Sequence, residues 1–225
     1  MTNTLHRYGA AESFRDDLIV FAMPTRGVND AGCAEKLRTF LRLALKHHPV
    51  NLGDARKGGI YQPSSRLNPL THWRRKEPER VEEVLERIDG PTTVSAVFDN
   101  TKDLVAFLED LKTADLGLSV NISGLMDEAD HCCEDAGITR HSVEYSLGFR
   151  GQMDRLPERP ALELSTMCGH GMVSANFAKK MMEWVKEDRR TPAEAARSMA
   201  RFCVCGIFNM TRAQRILEFV RDGNP

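Results

Sequence analysis

The stretch TTVSAVFDNTKDLVAFLEDLKTADLGLSVNISGLMDEADHCCEDAGITRHSVEYSL, residues 92–147, decides the fold class. Its first segment, Thr92 to Phe98, is β-branched and apolar over the length of one strand. Asn100, with Asp103 three residues on, is a helix N-cap signal. Leu104, Val105, Leu108 and Leu111 then recur at the spacing of one helical face. Leu116 to Ile122 reads as a second strand, Leu125 to Ala136 as a second helix and His141 to Leu147 as a third strand. This β-α-β-α-β order predicts an α/β protein, a sheet with helices packed on it.

Upstream, residues 16–23 predict a buried strand ending at Pro24, followed by a polar, turn-rich loop from Thr25 to Asp30. A helix comes next, with Leu37, Phe40, Leu41, Ala44, Leu45 and His48 on one face and Pro49 as its stop. Residues 50–76 predict a long irregular loop, because Gly53, Gly58, Gly59, Pro63, Ser64, Ser65 and Pro69 interrupt any regular element. A loop of this length is usually either functional or mobile, and here a boundary between two halves is expected. It divides an N-terminal α/β segment, 1–90, from an α/β core with C-terminal helices, 91–225, unless the two are one domain. A helix from Pro78, burying Val81, Val84, Leu85 and Ile88, leads to Gly90-Pro91.

Downstream, Ala161 to Met167 predicts a further strand, and three helices form a helical C-terminal segment. Val173, Phe177, Met181 and Val185 make one stripe. Thr191-Pro192-Ala193-Glu194 is a capping box with proline at the first helical position, ahead of Ala195, Ala196, Met199 and Ala200. Thr211 opens the last helix, with Ala213, Ile216, Leu217 and Val220 inward.

The 225 residues are 41% hydrophobic and 28% charged, a globular composition without low-complexity segments or internal repeats. A net charge of −1 argues against a nucleic-acid binder, and the basic run Arg74-Arg75-Lys76 is offset by Glu77 and Glu79. No apolar run approaches the ~20 residues that span a bilayer. The opening residues, Met1 to Arg7, lack a secretory apolar stretch, so a cytoplasmic location and no membrane partner are expected. In a reducing compartment the six cysteines are thiols or metal ligands rather than a disulfide framework.

Cys168-Gly169-His170-Gly171 is the segment richest in chemistry. With a strand before it and a helix after it, Cys168 is expected at a helix N-terminus. There, free N–H groups and the dipole favour an anion and lower a thiol's pKa. Gly169 and Gly171 allow close approach of a substrate to bare backbone, and His170 is placed to move a proton. Met167-Cys168-Gly169-His170-Gly171 also resembles the cysteine motif of the proline racemase family, in which two cysteines flank the substrate α-carbon as acid and base. The resemblance covers these five residues. The family's second cysteine segment has no counterpart, Cys203-Val204-Cys205-Gly206 being the nearest, so the match is read as local convergence on a thiol at a helix start.

The other cysteines leave alternatives open. His131, a candidate metal ligand, Cys132 and Cys133 fall within a predicted helix, the two cysteines at core spacing with Leu125, Ala129 and Ala136. Cys203-Val204-Cys205-Gly206 suits a buried turn or a metal knuckle, where glycine lets N–H groups point at thiolate sulfur. Together with Cys168, these thiols form a candidate zinc or iron–sulfur ligand set. Were the strands parallel, Asp99, Ser123-Gly124 and Cys168 would share one rim. Asp99 beside Asn100 is then a candidate substrate contact, and Arg150 a candidate cation for an anionic substrate. Arg56-Lys57-Gly58-Gly59 is a weak phosphate-loop candidate. His47-His48 suits a helix C-terminus, and His72-Trp73-Arg74 a lid. The leading expectation is a cysteine-dependent isomerase, lyase or transferase with Cys168 as thiolate and His170 as proton partner, acting on a small anionic metabolite. A metal or iron–sulfur protein and a non-catalytic binding subunit, oligomeric or not, are the alternatives.

Overall fold

The computed structural model describes residues 5–61, 78–146 and 148–223. A short turn of helix, α1 (Ala11–Phe14), precedes the strand β1 (Leu18–Met23) and the helix α2 (Cys33–Leu45). A hairpin of β2 (Asn51–Asp54) and β3 (Gly58–Gly59) follows, then α3 (Val81–Glu86). Next come β4 (Val94–Phe98), α4 (Thr101–Ala114), β5 (Ser119–Ser123) and α5 (Met126–Asp135). The chain closes with α6 (Arg159–Thr166), α7 (Ala175–Lys186), α8 (Pro192–Ala200) and α9 (Met210–Arg221).

The five strands lie in the order β3-β2-β4-β1-β5, and every neighbouring pair is antiparallel. β1 and β2 are therefore parallel to one another with β4 inserted between them, and β4 and β5 are parallel with β1 between them. Each helical crossover skips one strand, the connectivity of a split βαβ unit. The sheet is mixed with helices as expected, but its strands are not parallel neighbours. Strands before and after residue 90 interleave in this one sheet.

Strand alternation divides the interior in two. Ile19 and Phe21 of β1, with Val97 of β4, face the C-terminal helices α6 to α9. Leu18, Val20 and Ala22, with Val94, Ala96 and Phe98, face α2 to α5 on the opposite side. Buried on both faces, β1 reads as an unbroken apolar run rather than an alternating one. Phe107 of α4 anchors the second core, stacking on Phe98 at 5.2 Å and meeting Phe40 edge-on at 5.2 Å. Burying such a ring contributes roughly 1.5–3 kcal/mol. The predicted caps are in place: Asn100 accepts the Asp103 N–H, and Thr191 and Glu194 close a capping box. Among the described residues no helix is long and apolar enough to cross a membrane.

Three expectations are corrected. Ala161–Met167 is not a strand but most of α6, entered through Glu158 with Pro160 in the first turn. Short apolar runs do not separate strand from buried helix. Glu163, which looks like the outward residue of an alternating strand, is instead buried on α6 by its ion pairs with Arg159 and Arg212. His141 to Ser146 is exposed and outside any strand, so the predicted third strand of the run is missing; Leu147 lies outside the described residues. Residues 50–61 are no irregular loop either, because the glycines at 53, 58 and 59 sit inside the β2–β3 hairpin. Residues 62–77, with His72, Trp73 and Arg74, lie outside the described residues.

Candidate functional site

Two glycine-bearing turns build the site. The first, Cys168 to Gly171, follows the C-terminal end of α6, and α7 begins only after its N-cap Ser174. Gly169 (φ +67°) and Gly171 (φ +70°) are both left-handed. A Cβ on Gly169 would fall 2.7 Å from the side chain of Leu5, so glycine there admits the N-terminal segment. That segment is held by the His6 N–H donating to the Gly169 carbonyl at 3.1 Å and the Tyr8 N–H to Thr166 Oγ1 at 3.0 Å. Within the turn, the Met172 N–H donates to Cys168 Sγ at 3.2 Å.

The second turn, Cys203 to Gly206, follows α8 and lies flat on the sheet. Gly206 (φ +73°) is pressed against β2, where an added Cβ would stand 2.4 Å from the Leu52 carbonyl carbon and oxygen. Gly53 and Gly59 face it from the hairpin, and a Cβ on Gly53 would meet the Cys205 carbonyl at 2.9 Å. The hairpin glycines therefore clear space for the cysteine turn. Ser95 Oγ donates to the Cys205 carbonyl, and Asn51 Nδ2 to that of Phe208 at 2.9 Å, stitching the turn to β4 and β2.

The two turns border a half-open cavity of about 200 Å³, lined by Cys168, His170, Cys203 and Cys205 together with Ala55, Met172 and Val204. The three cysteines are buried, while His170 is exposed. Cys205 Sγ lies 3.6 Å from His170 Nδ1. The hydrogen bond with Cys205, burial and the charge of a Cys205 thiolate together push the Cys203 thiol well above its ordinary pKa. N–H groups of Ile207 and Phe208 pointing at its sulfur act in the opposite direction.

Behind the site is a buried ion network that the sequence did not announce. Asp17 is fully buried, and accepts from Asn209 Nδ2 at 2.9 Å, from Arg212 Nη1 at 2.9 Å and from Arg7. Arg212 also reaches Glu163, and burial lowers its pKa to about 10. The Arg7 pKa is also lowered, by burial first and then by Arg212, against the pull of Cys203 and Cys168 in their thiolate forms. The network ties the N-terminal segment, β1, α6 and α9 into one frame around the thiols. Long sequence separations hide it: Arg212 follows Asn209 as an ordinary helix-start residue, and Arg7 precedes any regular element.

The structure thus brings together Cys168, Gly169, His170, Gly171, Cys203 and Cys205, but in a different relation from the one expected. Cys168 stands past the C-terminal end of a helix, where the dipole opposes rather than favours a thiolate. His170 contacts Cys205, not Cys168. His131, Cys132 and Cys133 do not join them. They lie on α5, on the other side of the sheet, and Cys132 packs in the second core with its thiol raised to about 11, mainly by burial. The thiol of Cys133 is likewise raised by burial.

The weaker candidates separate too. Asp99 and Ser123-Gly124 share one end of the sheet, because β4 and β5 run the same way. Cys168 is not on that rim, and the cavity residue Ala55 follows Asp54, which pairs with Val94 at the opposite end of β4. Asp99 accepts from Thr211 Oγ1 at 2.8 Å. Arg150 is exposed and lines no part of the cavity. The Arg56 and Lys57 amides, which a phosphate would use, donate to Asp54 Oδ1 at 2.6 and 3.0 Å. His47 pairs with Asp110 at 3.1 Å beyond the end of α2. Among the described residues no group of three or more His, Cys, Asp or Glu side chains is arranged to hold a metal ion. No protein-family model, curated protein or solved structure matches the chain.

Proposed function

We propose that this protein is a cysteine-dependent enzyme acting on a small molecule in the cavity between the two turns, with Cys205 and His170 as the reacting pair. The observation that carries the reading is the 3.6 Å approach of Cys205 Sγ to His170 Nδ1 on the wall of a cavity of about 200 Å³. In the reaction the Cys205 proton passes to Nδ1, an electron pair of its sulfur bonds to an electrophilic carbon of the substrate as the bond from that carbon to the leaving group breaks, and the imidazolium protonates the leaving group; water, deprotonated by the same imidazole, then displaces the thiolate, which takes the proton back. Cys168, its sulfur fixed by the Met172 amide, and Cys203, hydrogen-bonded to Cys205, flank the same space. The volume suits a small metabolite, being below the range of typical drug-sized pockets. With Cys168 past the end of a helix, no helix N-terminus favours an anion at that sulfur.

A second reading is favoured by one feature. Three thiols and an imidazole surround one cavity, and backbone N–H groups point at two of the sulfurs, the environment of a thiolate-bound zinc ion or iron–sulfur cluster. Against it, the four side chains are not arranged to hold a metal ion as they stand.

One experiment separates the two. Protein purified without oxygen is assayed for metal and sulfide and its absorption spectrum recorded, and the thiols are then labelled with iodoacetamide across pH. Metal-free, colourless protein whose Cys205 labels fastest, and more slowly in His170→Ala, supports the enzyme. Stoichiometric metal lost in Cys168→Ser and Cys203→Ser overturns it in favour of the metal site. Thiols that stay unreactive in a metal-free protein overturn both and leave a binding subunit with buried cysteines.

A further inference from the structure

The connection from α5 to α6 leaves a strand without a sheet. Residues 139–146 and 148–155 are exposed throughout, and among the described residues none of the N–H groups of 139–146 donates to a backbone carbonyl. The segment nevertheless has strand chemistry. Ser142-Val143-Glu144-Tyr145-Ser146 alternates polar and apolar residues with period two and is rich in β-formers. Of the eight exposed large hydrophobics among the described residues, Val143, Tyr145, Phe149 and Met153 fall in this one connection. A connection of this length whose one regular element is a 3-10 turn at Met153–Arg155 is uncommon in a compact domain, and clustered exposed apolar side chains mark an interaction surface.

The sheet offers the complementary feature. β5 is an outer strand, and no described strand pairs with its free side. Edge strands are normally guarded by lysine, proline or a bulge. Ser119-Val120-Asn121-Ile122-Ser123 carries no charge and no proline, and Val120 on it is a further exposed hydrophobic. The opposite edge, β3, is only two residues long.

We infer that two copies of this chain form a symmetric dimer in which residues 141–146 of each add as a strand to the free edge of β5 in the other. The exchange satisfies the unpaired edge amides and covers Val120, Val143 and Tyr145 in one step, the mode of β-augmentation. Because the exchange is reciprocal, each edge taking the strand of the chain that receives its own, the interface is isologous and the assembly closes at two. The inference is independent of the chemistry assigned to the cysteine turns.

Sedimentation velocity on the full chain across a concentration series tests it, with hydrogen exchange by mass spectrometry. The expected species has twice the 25.3 kDa chain mass, with amides of 119–123 and 141–146 exchanging more slowly than in a monomer. Val143→Asp with Tyr145→Asp changes two exposed positions, so each chain keeps its fold while the species becomes monomeric and those amides speed up by about tenfold or more. Phe219→Asp, an equally exposed position elsewhere, leaves the dimer intact. A wild-type monomer at every concentration overturns the inference. So does a dimer that survives the double substitution, and so does a monomer whose 141–146 amides are already protected.

Discussion

Replacing Gly206 by alanine tests whether the Cys203 turn is pressed onto the sheet as closely as the structure has it. Two costs add. Gly206 is left-handed at φ +73°, which costs a non-glycine residue roughly 1–2 kcal/mol. The new Cβ would also stand 2.4 Å from the Leu52 carbonyl, with Gly53 N at 2.6 Å, so the turn or β2 must move. Such overpacking costs about 1–3 kcal/mol. The sum is about 2–5 kcal/mol, a large part of the roughly 5–15 kcal/mol that holds a domain folded. Gly171→Ala is the matched control, since Gly171 has nearly the same φ, +70°, and nothing within 4 Å of the added atom. Only the backbone cost applies to it. Urea unfolding followed by far-ultraviolet circular dichroism is expected to place the Gly206→Ala midpoint about 1 M below that of Gly171→Ala, for a denaturant slope of roughly 1–3 kcal/mol/M. Equal midpoints would refute the close approach of the turn to β2, and with it the geometry that sets Cys205 against His170.

Further outcomes are expected elsewhere. Arg212→Met leaves Asp17 and Glu163 buried without their shared cation, and thermal unfolding should report a loss of about 3–5 kcal/mol; a loss below 1 kcal/mol would show that the ion network is not buried as described. Asn100→Ala removes the cap of α4 and should cost about 1 kcal/mol in urea unfolding, and an unchanged midpoint would count against the cap. Cys132 and Cys203 have raised thiol pKa values in the folded chain, so they keep protons there that the unfolded chain releases. Their stabilising share is complete below the ordinary thiol range and is lost as pH rises through the folded values. Urea midpoints should therefore fall between about pH 8 and about pH 11, less steeply in Cys132→Ala, and a flat profile in the parent would contradict the assignment.

The strands β1, β4 and β5 and the helices around them were legible because their signals are local. Val94 to Phe98 is β-branched, Asn100 caps its own helix, and Leu104, Leu108 and Leu111 repeat at the helical period. The same local reading put a strand at Ala161–Met167, because a short apolar run has no period of its own. What made it a helix was distant: Glu163 meets Arg212, forty-nine positions along the chain. Gly53 and Gly59 read as breakers, and only their contact with Cys205 and Gly206 shows that they make room for another turn within a hairpin.

By itself, the sequence determined the α/β class and most element positions, and it marked Cys168, His170, Cys203 and Cys205 as candidate site residues. Propensity, periodicity and side-chain type are properties of residues near one another in the chain. Only the tertiary structure decided that β4 enters between β1 and β2, that His170 meets Cys205 rather than Cys168, and that Cys132 and Cys133 lie across the sheet from both. Those choices depend on which faces bury against which, and burial is shared between segments that the chain holds far apart.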